Sequence, residues 1–332
     1  MLSFIIRRLI LLIPLLFVVS VITFVLIELP PGDYLSTYIA QIEASTGERL
    51  TDLERAEIRR FYGLDDPTHV RFVRWMGNVL RGNLGRSFEY NRQVTDILAE
   101  RVPLTIAVSL ASLLFAWIVA VPIGVYSAIR QYSVFDYLFT FAGFFGLATP
   151  SFLLALIVMW IAFNYFGISA TGLFSAEYAD APWSIAKLLD FLSHLWIPMV
   201  IIGLESTARL IRVMRGNLLD ELRKQYVVTA RSKGLTETAL IFRYPVRVAI
   251  NPLVSTIGWI LPQIVSGGAL VAIVLNLQTV GPILLNSILS QDMYLAASIL
   301  LILSVLTIIG SLLSDILLAW LDPRIRYEGA SK

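Results

Sequence analysis

The chain has 332 residues, 57% of them hydrophobic and 15% charged, with a formal net charge of +2 and no cysteine. So large an apolar share exceeds what a soluble core uses, and so small a net charge gives no argument for nucleic acid. The absence of cysteine excludes disulfides, thiolate catalysis and Cys-ligated metals.

The apolar residues fall in uncharged runs, which makes the expected fold an all-α polytopic membrane protein. Crossing the hydrocarbon layer takes ~20 apolar residues per helix. Leu9 to Leu29 supplies a first span. It is too long for a signal-peptide core, and Glu28-Leu-Pro-Pro-Gly32 follows it in place of a small-residue cleavage site. Next comes a long loop, Pro30 to Pro103, in which ten Arg face eleven acids. Within it Thr51 to Phe61 reads as a helix with Thr51 as N-cap and Gly63 as its stop. Val70 to Leu80 reads as a second, amphipathic one, with Phe72, Val73, Trp75, Met76 and Leu80 beside Arg71 and Arg74. Such a loop fits either a subdomain packed on the external membrane face or a contact for a substrate-delivering protein.

Leu104 to Ile129 and Tyr137 to Phe166 give the second and third spans, joined by the polar turn Arg130 to Asp136. Leu192 to about Thr207 is the weakest span, because Glu205 and Arg209 intrude, and it is expected to continue as a helix into the cytoplasm. Ala249 to Leu275 forms the fifth, Asn276 to Gln291 a short re-entrant or interfacial piece, and Met293 to Leu321 the sixth. The expected segments are therefore 1–29, 30–103 and 104–332, the last containing a cytoplasmic loop at about 209–248.

Cytoplasmic flanks are enriched in Lys and Arg. Arg7 and Arg8 place the amino terminus inside, and six crossings return Arg324, Arg326 and Lys332 to the same side. A cluster of nine cations also falls inside: Arg209, Arg212, Arg215, Arg223, Lys224, Arg231, Lys233, Arg243 and Arg247. In this cluster Leu218 to Lys233 reads as one helix, with Asp220 and Glu221 near its start and Arg231 and Lys233 near its end, matching the helix dipole. Gly234 occupies the left-handed C-cap position, and Thr236 can cap a further helix to about Tyr244, before Pro245. Two helices joined by a sharp turn would project from the membrane and could carry motion from a partner into the spans.

Groups able to do chemistry are scarce. His69 and His194 stand far apart in the sequence, so a zinc or haem site is not expected, no Gly-Lys dipeptide exists for a P-loop, and no Gly-x-Ser-x-Gly occurs. An enzyme is therefore not expected. Candidate pathway positions are the helix breaks at Gly143, Gly146, Thr149 and Pro150 and at Gly258, Pro262, Gln263, Gly267 and Gly268. These suit either a water-filled pathway or small-residue helix packing. Asp315, alone in the last span, fits either a carboxylate satisfied by Ser311 or Ser314 or a pathway-lining group. A proton- or ion-coupled carrier working alone would need more ionisable residues within its spans.

Ala230-Arg-Ser-Lys-Gly234-Leu, with Pro252 beyond it, resembles the EAA loop of ABC importer permeases. Further matches are Arg7-Arg8-Leu9 with Pro14, Pro31-Gly-Asp33, Gly63-Leu-Asp-Asp-Pro67, Gly82-Asn-Leu-Gly-Arg-Ser87, Arg101-Val-Pro-Leu-Thr105 and Leu321-Asp-Pro-Arg-Ile-Arg-Tyr327. Together they resemble the oligopeptide/dipeptide permease subfamily over nearly the whole chain. The resemblance implies a type I ABC importer permease fold with six transmembrane helices in a bacterial or archaeal cytoplasmic membrane. It implies as partners a second homologous permease, two ATPases that carry the ATP and Mg, and an external substrate-binding protein. It also assigns the ATPase contact to Tyr226, Thr229, Ala230, Arg231, Ser232, Lys233, Gly234 and Leu235. Val228 and Thr229 stand where the general signature has Glu and Ala. Ile273-Val-Leu-Asn-Leu-Gln-Thr-Val-Gly281-Pro departs from the family's pattern after the fifth span, which keeps oligosaccharides open as the transported class.

Overall fold

A computed structural model describes residues 2–28, 51, 53 and 66–321, with the side chains of 2–9, 11, 26–28, 258–267 and 319–321 outside the described set. Its helices are α1 (Leu2–Glu28), α2 (Thr68–Leu80), α3 (Val94–Ile129), α4 (Val134–Ala148), α5 (Ser151–Phe166) and α6 (Ile185–Leu222). They continue as α7 (Gln225–Ser232), α8 (Glu237–Arg243), α9 (Pro245–Ala249), α10 (Asn251–Val274), α11 (Val280–Leu289) and α12 (Met293–Leu321). Apart from Thr51 and Leu53, the helix expected over Thr51 to Phe61 lies outside the described residues. An isolated antiparallel bridge joins Arg86 to Gln93.

Among the described residues α3, α6 and α12 are each long and apolar enough to cross a membrane, and α4 with α5 makes up to one more crossing. α4 and α5 meet at 102°, at the break expected from Thr149 and Pro150 within Tyr137 to Phe166. Pro150 is the cause: it lacks the N–H that would continue the ladder, and it drives Thr149 to extended backbone at φ −94 and ψ 122.

Two compact units divide the chain, one of 1–9, 104–281 and 306–332, the other of 10–103 and 282–305. The first is organised around α6, which touches α4, α5, α9 and α10. α6 starts earlier than its apolar run, at a cap in which the Ser184 side chain accepts from the Lys187 amide. Two glycines permit close helix contact. A Cβ at Gly203 would stand 2.8 Å from the Phe115 ring and 2.9 Å from the Ser112 carbonyl, and one at Gly124 would stand 2.7 Å from Met214 Cβ. In lipid, where apolar burial gives helices little reason to associate, such small-residue contacts hold them together. A Cβ at Gly143 would stand 3.8 Å from Ala208 and one at Gly146 3.5 Å from Leu204, which makes them packing positions between α4 and α6. Glu205 and Arg209 pair at 2.9 Å across one helical turn, so each offsets the other's charge within α6.

Arg215 of α6 grips the turn between α3 and α4. Its Nε and Nη2 donate to Asp136 Oδ1 and Oδ2, both at 2.9 Å, and Asp136 is 2% exposed. The Tyr132 amide donates to the same carboxylate, while Ser133 caps α4 by accepting from the Asp136 amide. The expected helix over Leu218 to Lys233 is corrected to two: α6 ends at Leu222 and α7 restarts at Gln225. Leu218 and Val227 are both fully buried. At ~100° per residue a continuous helix would place these two on opposite faces, and the break at Arg223 and Lys224 lets both reach the core.

In the second unit Phe72, Trp75, Met76 and Val79 of α2 pack with Phe24, Met293, Tyr294, Ala297 and Leu301. The segment Gly82 to Ser87 gains a physical role here. Gly85, at φ +87, lies so close to Tyr294 that a Cβ would stand 2.9 Å from its ring. The buried Ser87 hydroxyl donates to Asp292 Oδ2 at 2.5 Å, and the Glu89 amide donates to the same oxygen at 3.1 Å. Asp292 Oδ1 accepts from the Leu295 amide at the start of α12.

Gly203→Val is expected to push α3 off α6 and cost about 1–3 kcal/mol, seen as a lower melting temperature of the purified chain. Gly216→Ala is its control, since nothing lies near that position, and should leave the melting temperature unchanged or raise it. In the second unit Asp292→Asn should cost about 1–3 kcal/mol, because an amide nitrogen replaces an accepting oxygen and strands buried donors. Ser87→Ala should cost less in the same melting assay.

Candidate functional site

The segment from α7 to α9 has one buried and one open side. Val227, Ala230, Leu240, Ile241 and Val246 join the core that also holds Leu210, Met214 and Leu218 of α6. Tyr226, Val228, Thr229, Arg231, Ser232, Lys233 and Phe242 are exposed, and Leu235 is half-buried beneath them. Gly234 turns the chain between α7 and α8 at φ +80, with open space where a Cβ would point. Its amide donates to the Arg231 carbonyl at 3.0 Å and that of Lys233 to the Thr229 carbonyl at 3.1 Å, closing the end of α7.

Side chains fix the rest of this turn. Arg231 Nε and Nη2 donate to Glu237 Oε1 and Oε2 at 2.5 and 3.1 Å, a bidentate clasp across the glycine. Thr236 occupies the N-cap position of α8, but its side chain makes no capping hydrogen bond, a correction to its expected role. The Tyr226 hydroxyl donates to Glu221 Oε2 at 2.6 Å. Burial, and then that acceptor, push the Tyr226 phenol above its ordinary value, so it stays a neutral donor. Thr229 and Ser232 donate to the Gln225 and Val228 carbonyls and add no outward-facing link.

The nine cations fall into two groups. Arg209 and Arg215 pair with acids, Arg231 with Glu237, Arg212 lies 4.7 Å from the Phe144 ring centre, and Arg243 lies 5.9 Å from that of Tyr244. Arg223, Lys224, Lys233 and Arg247 form no ion pair among the described residues and are exposed. The open side of the turn thus combines unneutralised positive charge with Val228, Tyr226 and Phe242.

The pathway candidates do not converge in the same way. Thr149 is half-buried and donates to the Phe145 carbonyl at 2.9 Å, while Pro150 is exposed. Asp315 is half-buried, and Ser314, one of its two expected partners, instead donates to the Val254 carbonyl at 2.9 Å. The side chains at Pro262, Gln263 and Gly267 lie outside the described residues. What the first unit does assemble is a small recess in which Thr105, Ser109 and Thr279 stand beside Gly268 and Gly281. Thr105 Oγ1 accepts from the Val280 amide at 3.0 Å. Sequence reading did not single out this trio, because lone hydroxyl residues in apolar helices carry no periodic signal.

Comparison with known proteins settles the family. Residues 120–327 match the "Binding-protein-dependent transport system inner membrane component" model, and residues 1–111 match "Binding-prot-dependent transport system membrane comp, N-term". This chain belongs to that family. It is similar to the oligopeptide transport system permease protein AppB of Bacillus subtilis, at 31% identity over 98% of this chain and 100% of that protein. The di/tripeptide transport system permease protein DppB of Pseudomonas aeruginosa is 31% identical over 99% of this chain and 100% of its own length. The oligopeptide transport system permease protein OppB of Haemophilus influenzae is 28% identical over 98% and 100%. As an inner membrane component of this family, the chain is a transport permease subunit and not an enzyme.

The Arg231 clasp holds the Glu237 carboxyl below its ordinary value through their hydrogen bond. A lowered folded value means that the contribution is present above the unfolded value and lost as pH falls through the folded one. Both groups are exposed, so the effect belongs to local order. Hydrogen-exchange protection at the amides flanking Gly234, taken relative to the intrinsic rate at each pH, should fall in Glu237→Gln and on acidification of the wild type. The exchanged pair Arg231→Glu with Glu237→Arg should restore protection.

Proposed function

We propose that this chain is one of two homologous permease subunits of an ATP-driven importer for di- or oligopeptides. The observation carrying the proposal is the α7–Gly234–α8 turn, rooted in the core on one side and open and positively charged on the other. Two cytoplasmic ATPases would dock on Tyr226, Thr229, Arg231, Ser232, Lys233, Gly234 and Leu235, and ATP and Mg would be held by them; Ala230, expected among the contacts, is instead buried in the core and roots the turn. Their closure would move α6 as a rigid piece, since the turn and α6 share one core, and would switch the pathway between the two permeases.

The wider arrangement proposed is six crossings with both termini in the cytoplasm, supported by the Lys and Arg of the inner segments. In it α1 is the first span and α10 the fifth, α4 and α5 are one broken crossing, and α11 is the short interfacial piece. Residues 30–103 would form an external subdomain and 104–332 the permease core. A separate external protein would deliver the substrate. Peptide as the cargo is supported by the names of the relatives. Thr149, Pro150, Pro262, Gln263, Gly267 and Asp315 remain the proposed pathway positions, with the Thr105, Ser109 and Thr279 recess added to them.

ATP-dependent uptake of labelled peptides by the reconstituted complex tests this. Gly234→Trp should lower uptake by about tenfold or more, the equivalent of ~1.4 kcal/mol in coupling, while basal ATP hydrolysis persists. Gly234→Ala should lower it less, because the Cβ meets open space and only the left-handed backbone resists, at about 1–2 kcal/mol. Unchanged uptake in Gly234→Trp, or uptake by this chain alone without ATP, would overturn the reading. Uptake of oligosaccharides but not peptides would overturn the cargo alone.

A further inference from the structure

Residues 168–184 run between α5 and α6 without forming helix, yet they are fastened on two sides. The first fastening is to α6. Lys187, in the first turn of that helix, is only 6% exposed. Its Nζ donates to the Ala181 and Ala179 carbonyls at 2.6 and 3.3 Å and stands 4.8 and 5.5 Å from the Phe174 and Trp183 ring centres. A buried ammonium is costly unless satisfied, and all four of these partners belong to the segment. One turn further on, Asp190 Oδ2 accepts from the Ser175 amide at 2.9 Å and Oδ1 from the Ser175 hydroxyl at 2.5 Å. The Phe191 ring centre lies 5.6 Å from that of Phe174.

The second fastening is to the chain that leaves α10. Gly172, at φ +81, turns the segment so that its amide donates to the Leu275 carbonyl at 2.7 Å. The next amide, that of Leu173, donates to Gln278 Oε1 at 3.0 Å. These two seams differ in strength. The α6 seam is made by an ammonium and a carboxylate, and hydrogen bonds to ionised groups are roughly twice as strong as neutral ones. The seam at 275–278 has two neutral bonds, so it gives way first when α6 and the end of α10 are drawn apart. Leu277 and Thr279, on either side of Gln278, line the recess that also holds Thr105 and Ser109. Releasing Gln278 therefore frees one wall of that recess. We propose that Lys187 and Asp190 are positioning residues for transport, making 168–184 a strap that rides with α6 and parts from Leu275 and Gln278 to open the recess. This rests on the importer reading above, in which motion from the Gly234 turn travels along α6. Lys187 stands ~50 Å along that helix from Leu222.

The test uses the fact that the chain has no cysteine of its own. In the reconstituted complex, Gly172→Cys with Gln278→Cys is bridged by a short, reducible bis-methanethiosulfonate, with the same reagent on the unsubstituted complex as control. A Cβ at Gly172 would stand 3.7 Å from Gln278 Nε2, within reach of such a bridge. Bridging this seam should lower ATP-dependent peptide uptake by about tenfold or more, and reduction should restore it. Bridging Ser175→Cys to Asp190→Cys should leave uptake no lower than in the same variant before bridging, because the strap and α6 move together. Lys187→Met should lower uptake while ATP hydrolysis persists, a split that simple loss of fold would not give. Uptake unaffected by a complete bridge at 172–278, arrested by the bridge at 175–190, or retained in Lys187→Met overturns the proposal. The importer reading fails separately, when the unsubstituted complex itself takes up no peptide with ATP.

Discussion

The close approach of α3 and α6 at Gly124 and Gly203 is the contact on which the first unit depends. Neither position has room for a methyl group, because the Met214 side chain, the Phe115 ring and the Ser112 carbonyl already occupy the space. Backbones so close at these two points exchange dispersion contacts there, and in lipid this replaces the drive that water would supply. α6 then serves as the axis for α4, α5, α9 and α10. Arg215 extends the same logic toward the water, binding the α3–α4 turn with a paired guanidinium where glycine contacts no longer reach.

How the turn at Gly234 is held follows from where burial lies. The Arg231–Glu237 clasp is exposed on both sides, and pairs of that kind contribute little to stability. Val227, Leu240 and Ile241 by contrast are closed off from solvent in the same core as Met214 and Leu218. A push on the outer face is therefore transmitted through packed apolar side chains, and the clasp only sets the angle of the turn. Arg223, Lys224 and Lys233, which form no ion pair among the described residues, can meet an acidic surface without first giving one up.

Much of this was legible in the sequence. The long apolar helices α3 and α12, the amphipathic helix at α2, the left-handed glycine and the short apolar piece at α11 all follow from uncharged runs, periodicity and a single Gly. Other features were hidden because they depend on residues far apart in the chain. Ser87 and Asp292 are separated by 205 positions, and neither announces its partner. Asp136 looked like an ordinary turn residue until Arg215 stood beside it. The break at Arg223 and Lys224 was missed because local propensity favours helix straight through. What overrides it is the need to bury Leu218 and Val227 on the same side. Thr236 was credited with a capping bond because its position is right, yet its hydroxyl makes none and Glu237 turns to Arg231 instead. The pathway positions on α10 at Pro262, Gln263 and Gly267 lie among side chains outside the described residues.

The two breaks next to α6 differ in kind, and the difference bears on which parts can move. At Thr149 and Pro150 the missing N–H and the extended residue impose the bend covalently, and no repacking could straighten it into a regular helix. At Arg223 and Lys224 nothing covalent forbids helix, since both residues are good helix formers, and packing alone maintains the corner. A corner held by packing has two discrete arrangements available when a neighbour pulls on it, whereas a proline bend keeps its angle and travels as a unit. Motion delivered to α7 and α8 should therefore be taken up at 223–224 or passed intact along α6. The elbow between α4 and α5 would then be carried along as a fixed shape, its packing on α6 maintained by Gly143 and Gly146.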